Sequence, residues 1–121
     1  MVMAKRAAWL LAAVTVASHL PVHLPETNSP LLQAGQALRS LRARGNALFR
    51  EFRFAEAERA YSDGYQRAAS LRLRSEELRF LINLGSVRFA TFRYREAMQA
   101  FLDASRLARR LGDREMLSVA V

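Results

Sequence analysis

The residues of this 121-residue chain that could carry out chemistry are few and poorly placed for catalysis. The absence of cysteine excludes disulfides, thiolate catalysis and cysteine-ligated zinc. His19 and His23 have no third His, Cys or Asp nearby, so a metal site there is the less favoured interpretation. Glu56 and Glu58 are two positions apart and would point to different faces of a helix. With neither a glycine-rich phosphate loop nor a Ser, His and Asp set, the sequence predicts a protein that is not an enzyme and needs no cofactor or metal.

Arginine is the residue type in this sequence that is most able to bind a negatively charged ligand. The net charge is +8, and of the 19 basic residues only Lys5 is a lysine. One interpretation is a surface for nucleic acid or acidic peptide, and the other is a GC-rich genome that encodes basic residues as arginine. The charge is spread out, without a block of five or six like charges, so the second interpretation is favoured.

The elements that must position these arginines are helices. All three prolines precede residue 31, and apolar residues then return at helical spacing. The spacing predicts helices over residues 31–50, 54–70, 75–90 and 94–111, and a fifth that begins after Gly112 and Asp113. The sequence therefore predicts an all-α protein.

The chain repeats itself at a fixed offset. Residues 49–57 read FREFRFAEA, and residues 89–97 read FATFRYREA. The same offset places Gly45 on Gly85 and Tyr61 on Phe101. A fixed period of roughly 20 to 50 residues is typical of stacked repeat arrays.

The repeat resembles the tetratricopeptide repeat (TPR), a helix-turn-helix unit with Leu-Gly in its first helix, then Ala and an aromatic in its second. The resemblance implies a right-handed solenoid of helical hairpins, with complete units at 38–71 and 78–111 and a truncated third from 113, within a repeat domain of residues 31–121. A duplicated four-helix bundle is the alternative. The matching residues are Leu41, Gly45, Ala57 and Tyr61 in the first unit and Leu81, Leu84, Gly85, Ala97, Phe101 and Ala104 in the second.

Several positions depart from the family pattern. Arg44 stands where the family has Leu, and neither unit has the closing Pro. Phe52 and Phe92 occupy the turn where many members have Gly, and we expect them to pack between neighbouring units. The period, about 40 residues, is longer than the common one of about 34 and is similar to that of the longer-helix variety of the family.

The first helix of each TPR unit lines a concave groove, and the resemblance carries that role to nine positions. Arginine, amide and aromatic groups of this kind suit an extended acidic or carboxylate-ended peptide. Arg42, Asn46 and Asn83 resemble part of a carboxylate clamp, although Val119 stands where a further basic residue is expected. A generic peptide groove is favoured over that clamp, and a solvated face without a ligand is the third interpretation. The nine positions are Arg39, Arg42, Asn46, Phe49, Arg79, Ile82, Asn83, Ser86 and Phe89.

Residues 1–18 have the layout of a secretory signal. Lys5 and Arg6 precede an uncharged run over residues 7–17, and small residues stand at its end. That run is too short to cross a bilayer, which needs about 20 residues. A cap helix is the alternative, but the run lacks the polar outer face of one. Export to the periplasm or the exterior is expected if the signal is cleaved, and otherwise a membrane-associated or cytoplasmic location.

A tether connects this signal to the helices. Residues 19–30 contain the three prolines, which disfavour helix in the residues before them. Ser29 and Pro30 have the residue types of an N-cap and a first helical position.

The sequence as a whole predicts an exported protein-binding or peptide-binding scaffold module, part of a longer protein, that uses a basic concave groove. Self-association through apolar residues at an open C-terminal end is also expected, and no nucleic acid partner or membrane span of the mature chain is favoured. Polyanion binding through the arginine-rich surface is one alternative. The other is a regulatory repeat region of a larger enzyme or sensor.

Overall fold

Four consecutive helices form the part of the chain that the structure, a computed structural model, describes. It covers the backbone of residues 29–119 and the side chains up to Arg114. The helices are α1 (Pro30–Arg50), α2 (Phe54–Ser70), α3 (Arg74–Ala90) and α4 (Tyr94–Val119), with no strand in these residues. The all-α prediction is confirmed, whereas the predicted signal and most of the linker lie in residues 1–28, outside the described part.

The start of α1 follows the sequence prediction. The Ser29 Oγ accepts a hydrogen bond of 3.1 Å from the backbone N–H of Leu32, and Pro30 occupies the first helical turn. The hydroxyl satisfies one of the N–H groups that a helix start leaves unpaired, and proline has no N–H to leave unpaired.

Three loops of identical design connect the helices, at residues 51–53, 71–73 and 91–93. In the first, the Arg53 N–H donates to the Leu48 carbonyl at 2.9 Å and the Phe52 N–H to the Phe49 carbonyl at 3.0 Å, the two bonds of a Schellman motif. The middle residue of each loop has positive φ, 60° at Phe52, 56° at Arg72 and 64° at Phe92. Because α2 and α3 also have the same length, 17 residues, the starts of α2, α3 and α4 are evenly spaced along the chain.

The turn aromatics do not pack between units as expected. Phe52 is 79% exposed and Phe92 is 78% exposed. The left-handed backbone directs each ring outward, where it meets only the edge of Phe54 or Tyr94. The prediction was wrong because spacing along the chain does not give the backbone conformation of the turn.

One glycine–aromatic contact recurs at each helix pair. A Cβ at Gly45 would lie 2.5 Å from Cε1 of Tyr61, and one at Gly85 would lie 2.4 Å from Cε1 of Phe101. The contact between α2 and α3 is of the same kind, with Gly64 opposite Phe80 at 2.2 Å. Glycine is required because the ring lies directly on the backbone of the facing helix.

The core runs along the stack of helices. Each helix packs on the next in sequence, and α1 also contacts α3. Within residues 29–119 there is no contact between α1 and α4, which a closed four-helix bundle would need. Phe80 and Val87 of α3 are the largest completely buried side chains among the described residues, because α3 contacts all three of the other helices.

The fifth helix predicted after Gly112 and Asp113 is not formed. Instead, α4 continues through both residues to Val119. A helical glycine costs only about 1 kcal/mol relative to alanine, which is too little by itself to end a helix, and no proline stands between Gly112 and Val119. The apolar side chains predicted to self-associate, Met116, Leu117, Val119 and Val121, lie outside the described side chains.

Among the described helices, none combines the length and the apolar character needed to cross a lipid bilayer.

Candidate functional site

An uncovered stripe runs along α3, which has more buried residues than any other helix in the described part of the chain. Arg79, Ile82 and Phe89 share a face through the three-and-four-residue spacing of a helix, and all three are exposed. Ile82 is 44% exposed and Phe89 is 60% exposed, which is unusual for apolar residues of an internal helix. Helical spacing places Ser86 in the same stripe. All four residues were predicted to line the groove.

The α1 residues of the predicted groove face α3 only in part. Arg39 is exposed. Arg42 reaches across to α3, where its Nη1 donates to Oε2 of Glu76 at 2.5 Å. These two side chains are only 16% and 13% exposed, so the charge of Arg42 is neutralised inside the protein. Arg42 therefore connects α1 to α3 rather than presenting a cation to solvent.

Two of the predicted polar residues are also held by internal hydrogen bonds. The hydroxyl of Tyr61 donates to Oδ1 of Asn46 at 2.6 Å. Burial raises the pKa of Tyr61, so the phenol stays protonated and remains a donor. The Ser86 hydroxyl donates to the backbone carbonyl of Ile82 at 3.0 Å. Asn46 thus connects α1 to α2, and the Ser86 hydroxyl is satisfied within α3.

Asn83 differs from these residues. Its Nδ2 is buried and has no hydrogen-bond partner among the described residues. Asn83 lies two helical turns after Glu76, on the α1 side of the stripe. An unsatisfied buried donor costs about 1–3 kcal/mol, and a bound acceptor would remove that cost.

The aromatic residues of the site form the same pair in both hairpins. The Phe49 and Phe54 rings meet edge to face at 5.3 Å between centroids, and the Phe89 and Tyr94 rings do so at 5.2 Å. Phe49 is half-buried, whereas Phe89 is exposed. Phe89 is therefore the ring that a ligand could contact.

A cavity of about 380 Å³ lies between the first turns of α1 and the loop before α3. Its lining includes Leu31, Gly35 and the predicted Arg39, and it adds Arg72 from the loop. Sequence reasoning missed Arg72, although its position midway between Phe52 and Phe92 could have identified it as the middle of a turn. The α1–α3 face, defined here as the nine predicted residues with this cavity, thus has Arg39, Arg72 and Arg79 as its exposed cations.

No group of three metal-ligating side chains exists within the described residues. Comparison with known proteins adds no assignment: no protein-family model matches the chain, and no curated protein and no solved structure matches it significantly.

Proposed function

We propose that this chain is a TPR-like solenoid module that binds an extended peptide or protein segment on its α1–α3 face. Three features support a solenoid: the repeat in the sequence, the recurring glycine–aromatic contact, and the lack of contact between α1 and α4 within the described residues. In such an array the first helices of successive hairpins, here α1 and α3, lie side by side and leave one face open. Secretion of the module is part of the same proposal, from the signal-like residues 1–18.

The observation that carries the proposal is the exposed stripe of α3. An internal helix that buries Phe80, Leu84 and Val87 keeps Ile82 and Phe89 in solvent. Exposed apolar residues grouped beside polar ones are typical of a binding surface.

The charges of the face indicate the chemistry of the ligand. Arg39, Arg72 and Arg79 can each hold a carboxylate through paired hydrogen bonds. Ile82 and Phe89 would contact apolar side chains between the acidic ones. The favoured ligand is therefore an acidic segment with interspersed apolar residues. The pairing of Arg42 with Glu76 disfavours the carboxylate-clamp version, in which Arg42 would have to be free.

Selection of a random peptide library on the full-length chain tests the proposal. We expect enriched peptides to be acidic, and their binding to be lost in an Ile82→Ser/Phe89→Ser variant. Met98→Ser/Leu102→Ser is the matched control, because these α4 residues are equally exposed but lie off the α1–α3 face. Equal loss in the control would contradict the assignment of the site.

The polyanion alternative predicts a different outcome. Unrelated DNA duplexes would bind at low salt, with affinity that falls steeply as salt increases, because each phosphate contact displaces counterions. Such binding without peptide enrichment would replace the peptide proposal.

A further inference from the structure

A second cavity, of about 290 Å³, lies between α2 and α4 above α3. Its floor is apolar and is formed by Leu81, Leu107 and Leu111, with Tyr65 of α2 at one side. Its rim carries four arginines and two carboxylates. We call it the α2–α4 cavity.

This cavity is on the side of α3 opposite the exposed stripe of Arg79, Ile82 and Phe89. Its α3 residues, Arg74, Glu77 and Leu81, follow one another at three-and-four-residue spacing. At about 100° per residue, that row lies roughly 150° around the helix from Arg79, Ile82 and Ser86. Arg74, at the start of α3, also lines the cavity of the α1–α3 face, but the other residues of the α2–α4 cavity do not, so the inference does not rest on the proposed function.

The carboxylates of the cavity already have arginine partners. Glu77, only 8% exposed, accepts a hydrogen bond of 2.6 Å from Arg74. Asp103 lies 3.6 Å from Arg106. Arg110 and Arg114 follow Arg106 by one and two turns on the same row of α4, at intervals of about 6 Å. The rim therefore has an excess of positive charge over an apolar floor.

The first hairpin supplies an internal comparison. Its equivalent cavity, of about 480 Å³, is lined by residues one repeat period earlier in the chain. Gln66 and Ser70 stand there in place of Arg106 and Arg110, and Ala34 stands in place of Arg74. That cavity has one arginine, Arg67, which pairs with Asp63 at 3.0 Å. The repeat itself thus does not require the arginines of the α2–α4 cavity.

We propose that the α2–α4 cavity binds a small organic dianion: a phosphate monoester or a similar group on an apolar body. Guanidinium groups match phosphate and carboxylate oxygens through paired hydrogen bonds. Two negative charges balance the excess of two arginines over carboxylates on the rim. The three leucines provide the apolar floor, and the volume is close to the lower limit of about 300 Å³ for small-molecule sites.

Titration of the full-length chain with phenyl phosphate tests the proposal at constant salt. We expect a Kd of about 1 mM or tighter. Inorganic phosphate should bind more weakly because it lacks the ring, and benzoate should bind more weakly because it carries one charge.

The informative variant is Arg106→Gln/Arg110→Ser, which installs the residues that the first hairpin has at these positions. We expect it to weaken phenyl phosphate binding at least about tenfold, since each lost charge-assisted hydrogen bond contributes substantially. Arg95→Gln/Arg109→Ser is the control, with the same loss of charge from exposed positions outside the cavity. Its affinity should change less than about twofold, as expected for screened surface charges.

Three results would overturn the proposal: no binding of phenyl phosphate at about 10 mM, equal weakening in both variants, or benzoate binding as tight as that of phenyl phosphate. Circular dichroism of both variants must match the parent chain. If the double variant unfolds, the comparison of Arg110→Ser with Arg109→Ser applies the same criterion at neighbouring positions.

Discussion

The hairpin α1–α2 and the hairpin α3–α4 have the same internal contacts but different surfaces. Gly45 lies against Tyr61 in the first hairpin as Gly85 lies against Phe101 in the second. The loops have the same hydrogen bonds, and the ring pair at the end of each hairpin has nearly the same separation. The positions that set how two helices meet are thus the ones that the repeat preserves.

The surfaces differ at equivalent positions. On α1 the guanidinium of Arg42 pairs with Glu76, whereas the equivalent residue on α3, Ile82, is exposed. Gln66 and Ser70 of the first hairpin are likewise replaced by Arg106 and Arg110 in the second. The comparison indicates that the second hairpin carries most of the groups available to ligands.

The largest effect is expected where the two hairpins join. Gly64→Ala would place a Cβ 2.2 Å from Cζ of Phe80, which is completely buried and cannot move aside. We expect a loss of about 2–3 kcal/mol in the free energy of unfolding, measured by urea denaturation. Gly112→Ala is the control, since nothing lies within 4 Å of the added Cβ, and it should gain up to about 1 kcal/mol. A neutral Gly64→Ala would mean that the joint is looser than described.

A smaller loss of stability is expected when the ion pair between Arg42 of α1 and Glu76 of α3 is broken. Arg42→Ala would leave Glu76 mostly buried without its partner, at a cost of about 2 kcal/mol, less than the roughly 3–5 kcal/mol of a fully buried pair. Arg39→Ala, on the same helix but exposed, should change the unfolding free energy by less than about 0.5 kcal/mol. Similar values for both variants would remove the distinction between the two arginines.

The loops provide a third comparison. Arg72→Gly should increase the unfolding free energy by about 0.5–1 kcal/mol, because glycine adopts the positive φ without the steric cost of a side chain. The gain for Phe52→Gly should be smaller, since that change also removes the ring contact with Phe54 at 6.0 Å. The neighbouring Leu71 has a φ of −85°, so Leu71→Gly should destabilise the protein under the same assay.

The smallest effect is expected on how stability declines at acidic pH. Arg93, hydrogen-bonded to Glu96, lowers the pKa of Glu96 below its ordinary value of 4.5. The stabilisation by this pair is therefore fully present when the pH is above the ordinary pKa of Glu96, and it is lost as the pH falls through the lowered pKa. Urea midpoints measured between about pH 3 and pH 7 should decline less steeply in Glu96→Gln than in the parent chain. An identical decline would show that this exposed pair does not contribute.

The sequence predicted the helices well because their signals are local. The bounds of α2 were predicted to the residue, and those of α1 and α3 to within one residue. The end of α4 was missed, since Gly112 resembles a stop signal whose effect depends on the residues that follow. The glycine–aromatic contact between α2 and α3, which recurs at half the repeat period, was also not predicted. Gly64 and Phe80 lie in a different sequence context from the glycine–aromatic pairs inside each hairpin.

The candidate site was less predictable. The positions of Arg79, Ile82 and Phe89 on one face follow from helical spacing alone. The pairing of Arg42 with the distant Glu76 depends on how far α1 and α3 slide past each other, which spacing does not specify. The charged rim of the α2–α4 cavity combines residues of α3 and α4, so it becomes visible only when the helices are assembled.

The uniform loops have a consequence for how a protein of this kind can change in length. Removing residues 54–93 would join Arg53 directly to Tyr94, which is aromatic like the Phe54 that it replaces. Phe101 would then be as many residues from Gly45 as Tyr61 is now. A duplication or excision of one whole period therefore restores the glycine–aromatic contact at the junction, whereas a single insertion within a helix would rotate everything beyond it by about 100°. A whole hairpin can thus be added or removed with the glycine–aromatic packing kept, whereas a single-residue insertion within a helix would turn the residues beyond it away from the facing helix.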